Sequence, residues 1–150
     1  MGSNGWVVDA SVAVKLFVEE PLSDHTHRLF LRLLAESEAR LVVPDLFYIE
    51  CANILWKYTK RYGMPKREAR NKFSQLKSLP LTPIPTIEIL EDALDLATRC
   101  GSSVYDACYV AAAMAVEVPL ITADKGLVEA ASSLPVDLLL LGDDTRRLLE

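Results

Sequence analysis

Covalent cross-links and membrane anchorage have little to work with in this 150-residue chain. Its three cysteines, Cys51, Cys100 and Cys108, show no Cys-x-x-Cys spacing and lie in apolar stretches, so buried thiols in a reducing compartment are expected and a disulfide framework is not. No apolar stretch approaches the roughly 18 residues of a membrane span, and no basic segment leads into a long apolar run, so the expectation is a soluble, cytoplasmic protein. Histidine is scarce too. His25 and His27 are expected on an exposed helix, two positions apart and so on different faces, with no third soft ligand nearby. Neither a histidine metal site nor a histidine general base is therefore expected. Repeats, low-complexity tracts and linkers are also missing, which leaves one domain over 1–150.

What is present is apolar bulk and unevenly distributed charge. Apolar residues make up 51% of the chain, enough for a core that stands without staples. The net charge is −5, a discouraging average for a polyanionic partner. Between Lys57 and Lys77, however, Lys57, Lys60, Arg61, Lys66, Arg67, Arg70, Lys72 and Lys77 are opposed by Glu68 alone, a local net of +7. The remainder, eight cations against twenty anions, carries −12. A basic island on an acidic body can track a phosphate backbone, and six of its cations, Lys57, Lys60, Arg61, Lys66, Arg67 and Arg70, are candidate nucleic-acid contacts. Tyr58, Tyr62 and Phe73, interleaved there, are candidates for stacking on bases.

Apolar periodicity predicts strands alternating with helices. Trp6-Val7-Val8 reads as a strand ending at Asp9, followed by a helix from Ala10 to Glu20 that stops at Pro21. A helix within Pro21 to Ala39 precedes a strand at Leu41 to Pro44. Asp45 is the expected N-cap of a helix through about Tyr62, ended by Gly63, and a basic helix follows from Lys66 to about Ser78. Three prolines around Leu81 to Thr86 allow one short edge strand. Ile87 to Arg99 is amphipathic, with Ile87, Leu90, Leu94 and Ala97 on its apolar stripe. Ser103 opens a helix apolar on every side from Ala107 to Val116, which should be central and buried. A strand at Pro119 to Thr122, a short helix from Asp124, a strand at Val136 to Leu141 and a frayed tail complete the chain. This pattern predicts an α/β fold, a three-layer α/β/α sandwich with a mainly parallel sheet of four or five strands.

In such sheets, chemistry collects outside the carboxyl ends of the strands. Asp9 and Asp124 follow strands there, and Glu50 and Asp106 lie on or near the starts of helices that follow them. Each has a bland alternative: Asp9 and Asp124 can cap helices, Ser103-x-x-Asp106 fits a capping box, and Glu50, Asn53 and Lys57 can form a solvated stripe. Their joint placement says more. Four carboxylates converging in a cleft would repel unless some were protonated or a cation sat between them. All-oxygen ligation favours Mg²⁺ or Mn²⁺, ions that promote water attack on a phosphodiester. Ser11, Asn53 and Thr122 are hydroxyl and amide groups near the acids, suited to supporting them by hydrogen bonds.

Val8-Asp9-Ala10-Ser11, Pro44-Asp45-Leu46 with Glu50 and Asn53, Tyr105-Asp106-Ala107 and Thr122-Ala123-Asp124-Lys125-Gly126-Leu127 together resemble the PIN-domain family, in its order and spacing over essentially the whole chain. Within that family the chain is most similar to VapC-type toxins of toxin–antitoxin pairs. The resemblance implies a PIN fold, Mg²⁺- or Mn²⁺-dependent endoribonuclease activity, homodimerisation and inhibition by a small antitoxin protein. It implies Asp9, Glu50, Asp106 and Asp124 as the metal-binding catalytic acids, supported by Ser11, Asn53 and Thr122. Many relatives carry a further acid shortly after the last aspartate, where this chain has Lys125, Gly126 and Leu127, so a second metal site is not implied. The alternative is a catalytically silent PIN-like RNA-binding or protein-interaction module. A phosphatase of the haloacid-dehalogenase type is disfavoured, because Asp9-Ala10-Ser11 lacks the second acid two residues on.

Overall fold

Strands that read as nearly continuous apolar runs need cover on both faces, and the chain provides it with helices. A computed structural model describes residues 4–36 and 38–150. Its sheet has five strands, β1 (Gly5–Val8), β2 (Arg40–Pro44), β3 (Leu81–Ile84), β4 (Leu120–Thr122) and β5 (Leu138–Leu140), in the order β3-β2-β1-β4-β5. Every pairing is parallel. β3 carries Pro83 and lies at an edge, where a missing ladder donor is tolerated. Around the sheet lie α1 (Ala10–Ala13), α2 (Ser23–Leu34), α3 (Leu46–Tyr62), α4 (Lys66–Lys77), α5 (Thr86–Cys100), α6 (Val104–Val116) and α7 (Lys125–Ala130). No helix among the described residues is long and apolar enough to cross a membrane.

Order reverses beside β1. The chain steps from β1 to β2 to β3 on one side, then returns to lay β4 against the other. Register pairs Val8 with Ile121, so Asp9 leaves the sheet next to Thr122. The crevice of a doubly wound sheet opens at such a reversal. The core is built from β1, β2 and β4 with α6, whose residues from Ala107 to Ala113 are all buried.

Several expectations need correction. The first helix stops at Ala13 rather than Glu20 and tightens to a 3₁₀ turn over Val14–Leu16. Its β-branched Val12 and Val14 are modest helix formers, and after that turn Lys15 bonds Glu20 at 3.0 Å. α2 lies within the expected span and begins at Ser23, whose hydroxyl accepts from the Glu20 amide and donates to the Val18 carbonyl. Asp45 occupies the N-cap position of α3 as expected, but its side chain makes no cap hydrogen bond. Its Oδ1 accepts instead from the amide and hydroxyl of Thr86, whose Oγ1 in turn accepts from the Leu46 amide. The buried face of α5 is Ile89, Ala93, Leu96 and Ala97, leaving Ile87, Leu90 and Leu94 exposed. Ala93 and Ala97 are small enough for close approach of α5 to the alanine-rich α6, which a face carrying Ile87 and Leu90 would have prevented. The tail is not frayed: Thr145 is fully buried and its hydroxyl lies 2.7 Å from His25 Nε2, so His25 is half-buried and structural.

Candidate active site

Three of the four acids sit where local backbone chemistry puts them. Asp9 caps α1, its Oδ1 accepting from the Ser11 amide at 3.2 Å. Asp124 caps α7, its Oδ1 accepting from the Leu127 amide at 3.2 Å. Asp106 stands in the first turn of α6, its amide donating to the Ser103 hydroxyl at 3.1 Å. The bland capping alternatives are thus true of Asp9 and Asp124, and they do not compete with a shared site. A cap consumes one carboxylate oxygen and holds the side chain at the sheet's carboxyl edge, leaving lone pairs free.

Glu50 reaches the same space from α3, where it is half-buried. Asp9 feels the charges of Glu50 and Asp106; Glu50 feels that of Asp106, and Asp106 that of Asp124. The four acids therefore form one electrostatically connected group drawn from four elements. Burial is the largest influence on Asp9 and raises its pKa to about 6, against the lowering effect of its bonds to Thr122 and Ser11. Burial also raises the carboxyls of Glu50 and Asp106. Among the described residues the ion pairs are Lys15–Glu20 and Lys72–Glu68, neither of which neutralises the cluster. No three Asp, Glu, His or Cys side chains among those residues already close into a ligand set. The acids are within electrostatic reach of one another, and an all-oxygen donor set short of positive charge fits a hard divalent cation.

The supporting groups differ in what they touch. Thr122, fully buried, donates from Oγ1 to Asp9 Oδ2 at 2.8 Å and accepts from the Asp124 amide at 3.1 Å, linking two acids through one hydroxyl. Ser11 Oγ accepts from the Ala123 amide at 3.2 Å, tying α1 to the loop that carries Asp124. Asn53 is exposed on α3 and makes no side-chain hydrogen bond to a described residue. Sequence reasoning missed Tyr109. It is fully buried on α6, one turn past Asp106, and its hydroxyl donates to Glu50 Oε1 at 2.5 Å. A tyrosine within an apolar helix reads as core, and only the tertiary contact reveals its polar end.

The basic island folds into the α3–α4 hairpin, and all six candidate RNA contacts are exposed. They do not all face the acids. At about 100° per residue, Lys57 returns to within roughly 20° of the Glu50 face, while Ala52 and Trp56 lie about 200° and 240° around α3. On that far side a groove of about 630 Å³ has Ala52, Leu55, Trp56, Ala69 and Phe73 among its lining and Lys60, Lys66, Arg70 and Lys77 around it. Of the aromatics expected to stack on bases, Tyr58 is held by a 2.6 Å bond to Glu20, and Phe73 packs on a small cluster of Val14, Val18 and Leu55. Tyr62 and the overlooked Trp56 are the exposed aromatics of this hairpin.

Residues 6–132 match the family model for the PIN domain. Ribonuclease VapC3 of Pyrobaculum aerophilum is 38% identical over 128 residues, covering 82% of this chain and 92% of that protein. Among solved structures, the crystal structure of PAE2754 from Pyrobaculum aerophilum superposes with a TM-score of 0.63 at 22% identity, covering 91% of this chain and 84% of that one. Mycobacterium tuberculosis VapC20, a Sarcin-Ricin loop cleaving toxin, does so with a TM-score of 0.62 at 17% identity, covering 83% and 94%.

Proposed function

We propose what this chain does from one premise: it belongs to the PIN-domain family. Our reading is a Mg²⁺- or Mn²⁺-dependent endoribonuclease that hydrolyses RNA phosphodiesters, the toxin of a toxin–antitoxin pair. The observation that carries it is the electrostatic influence linking Asp9, Glu50, Asp106 and Asp124, from four elements, with Asp9 beside the sheet's reversal point. The whole of 1–150 is taken as one PIN-like domain.

In this reading the four acids hold the ion, which when bound acidifies water and offsets charge on the scissile phosphate. Asp9 is the most constrained of the four. With one oxygen on the Ser11 amide and the other on Thr122 Oγ1, it cannot swing to follow a ligand, so it fixes the site relative to the sheet. Thr122 and the α7 cap give Asp124 the same reference frame. Lys57, on the Glu50 face of α3, is placed to meet a phosphate flanking the cleaved bond, whereas Lys60, Lys66 and Arg70 raise the local concentration of RNA through their field.

A small antitoxin protein is the proposed partner, and the cytoplasm, where RNA substrates are found, the proposed location. Homodimerisation is proposed as well, supported by the exposed apolar stripe of Ile87, Leu90 and Leu94 on α5. Leu94→Glu should then convert a dimer to a monomer in light scattering, and a monomeric wild type would end that part of the reading.

The test of activity compares RNA cleavage by wild type and Asp106→Asn with Mg²⁺ or Mn²⁺ and again in EDTA. Cleavage only by wild type with metal supports the nuclease. Equal background in every lane would instead favour a catalytically silent module that binds RNA or protein.

A further inference from the structure

Glu50 differs from Asp9 and Asp124 in having no backbone cap to hold its carboxylate. It sits on the second turn of α3 with three rotatable side-chain bonds, and a free glutamate of this kind gives up rotamer entropy when it is immobilised. Yet its Oε1 is already engaged, by Tyr109, which lies 59 positions later in the sequence. The phenol ring is fully buried in α6, flanked in sequence by buried Cys108 and Val110, and cannot itself move far. Its hydroxyl has no hydrogen bond to any other described residue, and Oε2 of Glu50 accepts from none.

We propose that Tyr109 is a positioning residue of the acid cluster: its O–H···Oε1 bond pins Glu50 in one rotamer, leaving Oε2 as the oxygen available to a divalent cation. What capping does for Asp9 and Asp124, a buried phenol does for Glu50. The same helix thus serves two acids, presenting Asp106 directly and Glu50 through Tyr109 one turn further along. This rests on the reading of Glu50 as a metal ligand. The competing account inverts cause and effect, with Glu50 present only to satisfy a buried hydroxyl.

Tyr109→Phe separates them, because it keeps the ring and removes only the donor. Mn²⁺ binding to the RNA-free protein, followed by the electron paramagnetic resonance signal of free Mn²⁺, should weaken about 10- to 100-fold, the range for losing a group that orients a metal ligand. Val110→Ala, a buried truncation beside it on α6, controls for loss of packing and should leave Mn²⁺ affinity within about twofold. In a Glu50→Gln background, Tyr109→Phe should weaken Mn²⁺ no further, since the phenol acts only through that carboxylate. If Glu50→Gln weakens Mn²⁺ and Tyr109→Phe does not, the positioning role is wrong while the ligand role of Glu50 stands. If Val110→Ala weakens Mn²⁺ as much as Tyr109→Phe does, the effect is one of packing and the proposal fails. Unchanged affinity in Glu50→Gln overturns the ligand role itself, and the positioning role with it.

Discussion

Asp9 is 6% exposed with both carboxylate oxygens in hydrogen bonds, whereas Lys60, Lys66 and Arg70, on the far side of α3, stand in solvent with no ion pair to a described residue. These two regions treat charge in opposite ways, and the contrast follows from what each has to do. A ligand set tolerates little displacement, so Asp9 is buried and tied to the backbone, at the expense of a raised carboxyl pKa. A field that gathers a polyanion acts over a Debye length of about 8 Å at physiological salt, so its sources need only be numerous and exposed. Burial also makes the acid region sensitive to single substitutions, while the cationic region should respond gradually.

The largest effect expected from this contrast is on catalysis. Asp106→Asn keeps the α6 amide bond to Ser103 and removes one ionised ligand, and cleavage of a labelled RNA should fall by more than about 100-fold, beyond the loss seen when a merely supporting partner is removed. Circular dichroism should be unchanged. Retained cleavage would break the assignment of the acid region at its centre.

Next is the pH dependence of stability without metal. An unfolded aspartate titrates near 3.8 and folded Asp9 near 6. Between those values the folded state keeps a proton that the unfolded chain has released, so stability falls as pH rises from about 4 to 6 and the loss is complete above that. The contribution of Asp9 is about 3 kcal/mol. Denaturation in EDTA should show this slope in wild type and a shallower one in Asp9→Asn, which becomes the more stable protein above pH 6. Added Mn²⁺ should restore wild type at pH 7 far more than at pH 5, because the ion competes with the proton. Parallel pH profiles for the two proteins would mean that burial does not strain Asp9.

A smaller effect is expected where the hairpin joins the body. Glu20 accepts from Tyr58 on α3 and pairs with Lys15, and Lys72 on α4 donates to the Phe17 carbonyl. Glu20 is accordingly held below the usual carboxylate range by its bonds to Tyr58 and Lys15, which outweigh burial. Tyr58→Phe should destabilise by about 1 kcal/mol, the usual contribution of one hydrogen bond. Cleavage with saturating RNA should hardly change.

How much of this was readable from the sequence follows a physical line. The strand–helix alternation was legible because it is local, carried by apolar period and by Gly63, Gly101 and Ser103 at helix ends. Asp9 and Asp124 could be singled out because capping positions and strand ends are themselves local. What could not be read was whatever depends on which face meets which. The helical period of α5 permits two apolar stripes, and the close packing on α6 chose the one with Ala93 and Ala97. The partners of Asp45 and Glu50 are 41 and 59 positions away, at Thr86 and Tyr109, beyond any pattern of neighbours. The hairpin's charge could be counted, but not the angle at which α3 presents it.

That angle yields the last and mildest test, which sharpens the comparison within the cationic region itself. If Lys57 meets a phosphate beside the cleaved bond and Lys66 contributes only to the field, the two single alanine variants should differ in kind. Each removes one positive charge, so each should lower the dependence of log affinity on log salt by at most about 0.7 for single-stranded RNA. Lys66→Ala should then lose a few-fold in binding at low salt and nothing at saturating RNA. Lys57→Ala should in addition cleave more slowly when RNA saturates, because a contact near the reacting phosphate holds it in register with the acids. Equal behaviour of the two variants in both measurements would mean that RNA does not distinguish the faces of α3, and the hairpin would then act as one undivided positive surface.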